Sequence, residues 1–242
     1  MTPRIFVEAG GMALAEGASA VLPEPAAHHA MRVLRLRQGD ALTLFDGTGG
    51  EWRATIAAAG RRDATVAIGA HDPVERESPL AATLVVSTLA TDAMDYAVRK
   101  AVELGAAAIV PVVAGRSQGG SRADRRVDHW RRIAVAACEQ CGRNRIPPIG
   151  FPQPLFAWLG ARGAGRPGIV LGPGGDAPLS AVDVVGTIDV LVGPEGGLDA
   201  AEIAAAKRAG LRAVTMGPRV MKAETACVAV LAALQALRGD LG

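Results

Sequence analysis

The chain has 242 residues, enough for one large domain or two unequal ones, and half of them are apolar while aromatics make up 3%. No apolar run reaches bilayer length, the opening Met1-Thr2-Pro3-Arg4 lacks the charged-then-apolar design of a secretion signal, and three cysteines are too few and too oddly numbered for a disulfide framework. A membrane span and a secreted scaffold are thereby excluded, which predicts a cytoplasmic protein; a net charge of +2 leaves any attraction to nucleic acid to the local placement of charge.

Along the chain, residues 1–72 read as short strands broken by turns: 41–45 ending in Asp46-Gly47, then 52–58, then 65–68. This predicts a small β module. The stretch 73–79 (Pro-Val-Glu-Arg-Glu-Ser-Pro) is polar and bracketed by prolines, as linkers are. From 80 onward apolar runs alternate with helical periodicity. Strands are expected at 82–89, 109–113, 168–171, 188–192 and 213–216. Helices are expected with Met94, Val98, Ala101 and Val102 on one face and Gly105 at the end, then over 125–141, 199–209 and 224–237. Such alternation implies a parallel α/β sheet for 80–242.

Three of these strands end in similar Gly/Pro loops: Leu171-Gly172-Pro173-Gly174-Gly175, Gly193-Pro194-Glu195-Gly196-Gly197 and Met216-Gly217-Pro218-Arg219. Ligands of parallel sheets sit beyond the carboxyl ends of the strands, where glycine admits close backbone approach. One such loop alone reads as an ordinary turn; three together read as the lining of one pocket. None spells a phosphate-cradling or dinucleotide fingerprint, so main-chain groups edged by Val220 and Met221 suit a neutral adenosine moiety better than a phosphate.

Metal chemistry is not expected. The adjacent His28-His29 pair lacks helical i, i+4 spacing, and Cys138-x-x-Cys141 has no second pair to complete a tetrahedron. Between 116 and 145, eight arginines (116, 122, 125, 126, 131, 132, 143, 145) face three acids (Asp124, Asp128, Glu139), an excess of five positive charges that reads either as a solvated helix face or as an RNA-facing segment.

Three segments carry a resemblance to a known family: 137–147 (ACEQCGRNRIP), 193–197 (GPEGG) and 216–226 (MGPRVMKAETA). They are joined by Pro3-Arg4-Ile5-Phe6, by Arg32-Val33-Leu34-Arg35, by Arg76-Glu77-Ser78-Pro79 and by Lys100-Ala101-Val102-Glu103-Leu104-Gly105. In these the chain resembles the RsmE family, the 16S ribosomal RNA uridine N3-methyltransferases of the SPOUT superfamily. The resemblance implies a small N-terminal PUA-like RNA-binding β-barrel (1–72), a linker (73–79) and a C-terminal trefoil-knotted SPOUT α/β methyltransferase domain (80–242). It also implies S-adenosyl-L-methionine as cofactor, 16S rRNA of the small ribosomal subunit as substrate, and a homodimer.

The cofactor residues implied are Leu171, Gly172, Pro173, Gly193, Pro194, Glu195, Gly196, Gly197, Met216, Gly217, Val220, Met221, Thr225 and Ala226. Arg219 and Lys222 are candidates to offset charge developing on the base, with Glu195 or Glu224 as proton acceptor. Each has a structural alternative: Glu195 orders its loop, Glu224 complements a helix dipole, Thr225 caps, Arg219 pairs with an acid. Arg4, Arg32, Arg35, Arg143 and Arg145 are candidate phosphate contacts. The chain departs from the family pattern at Lys222-Ala223, where relatives carry Arg-Thr, at Gly172 in place of His, and at Ala90 and Ala93 in place of basic residues. Another SPOUT methylation, a non-catalytic RNA-binding factor and a small-molecule α/β enzyme remain the rival readings.

Overall fold

The computed structural model describes residues 2–60, 63–117, 123–163 and 165–242, with 123–125 described as backbone. The chain divides into two compact units, one of Met1–Glu77 with Cys138–Ile146, the other of Ser78–Ala137 with Pro147–Gly242.

The first unit holds β1 (Arg4–Phe6), β2 (Ser19–Val21), α1 (Glu24–His28) running into a π-helical turn (His29–Val33), β3 (Ala41–Phe45), β4 (Glu51–Ala59) and β5 (Ala64–Asp72). They form a five-stranded sheet in the order β1-β3-β4-β5-β2, parallel between β1 and β3 and antiparallel elsewhere. Alternation along β4 and β5 turns Ala54, Ile56, Val66 and Ile68 inward, where they pack with Ile5, Leu42 and Leu44. Each of the larger side chains contributes about 2 kcal/mol by leaving water.

A polar cluster ties Cys138–Ile146 into this unit. Arg4, 9% exposed, donates to Glu51 and to Asn144 Oδ1, each at 2.5 Å, and its guanidinium lies 4.8 Å from the Phe45 ring centre. Asn144 Nδ2 donates to the Val74 carbonyl at 2.8 Å, Arg143 forms a two-pronged pair with Glu77, and the Phe6 amide donates to Glu139. Burial pushes the Glu51 carboxyl up, but the hydrogen bonds from Arg76 and Arg4 outweigh it and hold the group below its ordinary 4.5. Its stabilising contribution is therefore complete above the unfolded value and is lost as pH falls through the lower folded value. Glu51→Gln is expected to lower the thermal midpoint at pH 7 by the equivalent of about 2 kcal/mol. That deficit should close in acid, below pH 4.5, as the native carboxylate itself takes up a proton. A deficit that stays constant over this range would contradict the assignment.

The second unit alternates β6 (Ala81–Ser87), α2 (Thr91–Glu103), β7 (Ala108–Val113), α3 (Ala123–Cys141, whose last four residues belong to the first unit), β8 (Gln153–Pro154), α4 (Leu155–Ala161), β9 (Gly168–Leu171), β10 (Ala177–Pro178), β11 (Thr187–Val192), α5 (Ala200–Arg208), β12 (Arg212–Thr215) and α6 (Ala223–Arg238). Its seven strands are all parallel, in the order β10-β12-β9-β11-β6-β7-β8. Val85, Val170, Leu191 and Ala213 from four strands pack with Leu155 and Leu159 of α4 and Ala206 of α5. Gly105, at φ +73°, closes α2 in the left-handed conformation that a helix C-terminus favours. Among the described residues no helix is long and apolar enough to cross a membrane.

Candidate active site

Because β12, β9 and β11 are adjacent and parallel, their carboxyl ends, Thr215, Leu171 and Val192, lie along one edge of the sheet. The three Gly/Pro loops leave from this edge and line a single cavity of about 590 Å³. Each loop contains one left-handed glycine, Gly174 (φ +76°), Gly197 (φ +71°) and Gly217 (φ +63°). The first loop is stitched to β12 by Gly172 N–H to Val214 O and Asp176 N–H to Ala213 O.

Thirteen of the fourteen expected cofactor residues line the cavity; Thr225 does not, standing exposed in the first turn of α6. Of the four candidates for chemistry, Arg219 and Glu195 reach the lining, both exposed to solvent. Glu195 also lies 3.5 Å from the Ala90 amide, at the start of α2, where a carboxylate meets the positive end of the helix dipole. Lys222 and Glu224 are outside the lining: Lys222 occupies the position before α6 and Glu224 its first turn.

Sequence reasoning missed the contribution of α5. Ile203 and Lys207 also line the cavity, and Lys207 pairs with Asp176 of the first loop at 2.7 Å. The signal was present: α5 follows the second loop through an Asp199–Glu202 capping box, and residues four apart share one helix face.

The arginines divide sharply. Arg32 and Arg35 are exposed, and Arg35 holds φ +56°, the one non-glycine among the described residues with positive φ. Arg145 is exposed and pairs with Glu75 at 3.2 Å. Arg4 and Arg143 are corrected: with 9% and 4% exposure and partners inside the first unit, they hold 138–146 in place and present no free guanidinium to a phosphate. In the arginine-rich segment, Arg122 lies outside the described residues, as does the side chain of Arg125. Cys138 is buried, and desolvation pushes its thiol up to about 12, so it is unreactive at neutral pH.

Comparison with known proteins accords with this architecture. Residues 76–235 match the family model described as an RNA methyltransferase domain, and residues 22–69 match an RNA methyltransferase PUA domain. Ribosomal RNA small subunit methyltransferase E of Mycobacterium bovis is 31% identical over 230 residues, covering 91% of this chain and 87% of that protein. Its counterpart from Buchnera aphidicola subsp. Schizaphis graminum is 28% identical over 218 residues, covering 88% of this chain and 89% of that protein. The crystal structure of the Neisseria gonorrhoeae methyltransferase E, bound to S-adenosyl methionine, superposes over 100% of both chains with a TM-score of 0.93 and 34% identity. The chain belongs to the RsmE family of ribosomal RNA small subunit methyltransferases.

Proposed function

We propose that this protein transfers a methyl group from S-adenosyl-L-methionine to N3 of a specific uridine in 16S rRNA of the small ribosomal subunit. The observation that carries the reading is the three-loop cavity. Its volume of about 590 Å³ is in the range of small-molecule sites. A Cβ at Gly172, Gly174, Gly197 or Gly217 would meet no protein atom within 4 Å, so these glycines leave the main chain open to a ligand. Apolar Val170, Leu198, Ile203 and Met221 form walls suited to an adenine ring, while Glu195 and Lys207 supply charge of both signs for an amino-acid end. The residues present therefore fit the cofactor.

When bound, S-adenosylmethionine supplies an electrophilic methyl group on a sulfonium. The rest of the work falls to the chain. The three loops fix the donor, because in-line transfer depends on alignment of acceptor, methyl carbon and sulfur. As N3 of uridine forms its bond to carbon and the sulfur–carbon bond breaks, the N3 proton must leave. Glu195 is the cavity carboxylate able to accept it, and Arg219 offsets negative charge on the ring. Glu224, outside the lining, stands in the first turn of α6, where a carboxylate complements the helix dipole, whereas Lys222 precedes the helix without capping it and Thr225 is exposed in the first turn.

Arg32, Arg35 and Arg145 are the phosphate contacts in this reading, since exposed guanidinium groups supply sequence-independent affinity. The PUA unit serves as the RNA-binding module, and the trefoil knot of the family belongs to 80–242. A homodimer acting in the cytoplasm is part of the same proposal; Val220, 81% exposed on the third loop, is an apolar side chain that a second subunit would cover.

The test is methyl transfer from labelled S-adenosylmethionine to small ribosomal subunits lacking the modification, followed by nucleoside analysis. N3-methyluridine is the expected product, and a different methylated nucleoside would refute the target atom. Arg219→Ala is expected to reduce kcat about 100-fold while leaving cofactor affinity nearly unchanged. Unchanged turnover would remove Arg219 from the chemistry.

A further inference from the structure

Arg116 belongs to the arginine-rich segment, and the structure gives it a specific contact. It stands in the turn after β7 and is absent from the cavity lining. Its Nη1 donates to the Gly196 carbonyl at 2.8 Å, on the second cavity loop. A Cβ at Gly196 would fall 3.2 Å from Arg116 Cδ and 3.3 Å from Arg116 Cβ, so the arginine stem lies flat against that glycine.

The turn that carries Arg116 is itself anchored. Glu202 of α5 is 2% exposed, and one of its carboxylate oxygens accepts from the Gly115 amide at 2.7 Å. The other oxygen accepts from the Asp199 amide at 2.8 Å, closing the capping box that starts α5 just beyond the loop. Ser117 Oγ accepts from the Ala114 amide at 2.8 Å and tightens the same turn. One buried carboxylate thus fixes both the turn bearing Arg116 and the far end of the loop that Arg116 grips. Charge-assisted bonds to main-chain groups are strong, and a buried carboxylate with both oxygens paired is rigid.

We propose that Arg116, presented by a turn anchored on Glu202, is a positioning residue that clamps the second cavity loop from outside in its ligand-binding conformation. A side chain at 196 would press on the arginine stem, which the glycine leaves room for. The cofactor part of this inference rests on the function proposed above; the clamp itself does not.

The experiment uses the full chain with Arg116→Ala and Arg116→Lys. Hydrogen exchange on the ligand-free protein should show the peptide covering 193–198 exchanging about tenfold faster in Arg116→Ala, with partial restoration in Arg116→Lys, which keeps one donor but not the fork. S-adenosylmethionine titrated calorimetrically should bind about tenfold more weakly to Arg116→Ala, with a thermal midpoint within about 2 °C of the native chain. Unchanged exchange in the loop overturns the clamp. So does faster exchange spread across the whole sheet with a lowered midpoint, which marks general destabilisation. A reduced salt dependence of RNA binding with an unaltered loop would make Arg116 a phosphate contact instead. If the native protein does not bind S-adenosylmethionine, the cofactor assignment fails and the exchange result alone decides the clamp.

Discussion

Gly175→Ala is expected to weaken S-adenosylmethionine binding more than about 100-fold, a larger effect than that of any other single methyl group added to the cavity loops. A Cβ at this position would lie 2.3 Å from the Val214 carbonyl carbon and 2.7 Å from both Val214 Cα and Thr215 N. All three atoms are main chain, in β12, which is held between β10 and β9. The strand cannot retreat without losing ladder hydrogen bonds, so the first loop must lift away and break Gly172 N–H to Val214 O and Asp176 N–H to Ala213 O. Residues 172–175 of the lifted segment line the cavity. Gly174→Ala is the control: its Cβ would meet nothing within 4 Å, and the cost is conformational, from φ +76°. That strain is about 1 kcal/mol, or roughly fivefold in affinity. Calorimetric titration of both variants, with circular dichroism to confirm folding, checks the contrast. Binding by Gly175→Ala within about threefold of the native chain would show that the loop yields and the argument from close approach is wrong.

The alternating second unit was legible because parallel strands buried on both faces are near-continuous apolar runs. The run 81–87 (AATLVVS) and the run 187–192 (TIDVLV) are of this kind, and both are strands. The apolar stripe of α2 and its end at Gly105 followed from helical period and backbone chemistry. Sheet order was not legible, since pairing β9 between β11 and β12 is a nonlocal choice that no local pattern encodes. The two-residue strands β8 and β10 carry no periodicity at all. In α4, Leu155-Phe156-Ala157-Trp158-Leu159 is too short a run to declare its type.

The site shows the same division between local and nonlocal information. Glycines at strand ends announced the three loops, and the cavity has them. Charge alone could not say which arginines meet solvent. Arg4 finds Glu51 forty-seven residues away and Arg143 finds Glu77 sixty-six away, so their burial depends on tertiary pairing rather than on neighbours in sequence. Arg116 is the sharper case, because its partner is a main-chain carbonyl eighty residues distant, and a carbonyl has no signature in a sequence.

Asp189→Ala is expected to lower the thermal midpoint by about 10 °C while leaving cofactor affinity at low temperature within about twofold. Asp189 is 3% exposed on β11, and its carboxylate accepts from Arg162 Nε at 2.9 Å and Arg166 Nε at 2.8 Å. The Arg162 side chain is itself 3% exposed, so removing the carboxylate strands a buried cation. Breaking such a pair costs about 3–5 kcal/mol, whereas exchanging both members for apolar groups of similar size is close to neutral. Asp189→Leu combined with Arg162→Met should therefore recover much of the midpoint lost in the single variant. A fall of less than about 2 °C in Asp189→Ala would show that the pair contributes little. Cofactor affinity should survive because Asp189 lies near the amino end of its strand, beside Thr83 and Gly168, while the cavity begins at Val192. Three residues of extended chain separate them by about 10 Å, so one strand carries a stabilising ion pair at one end and the ligand-binding loop at the other.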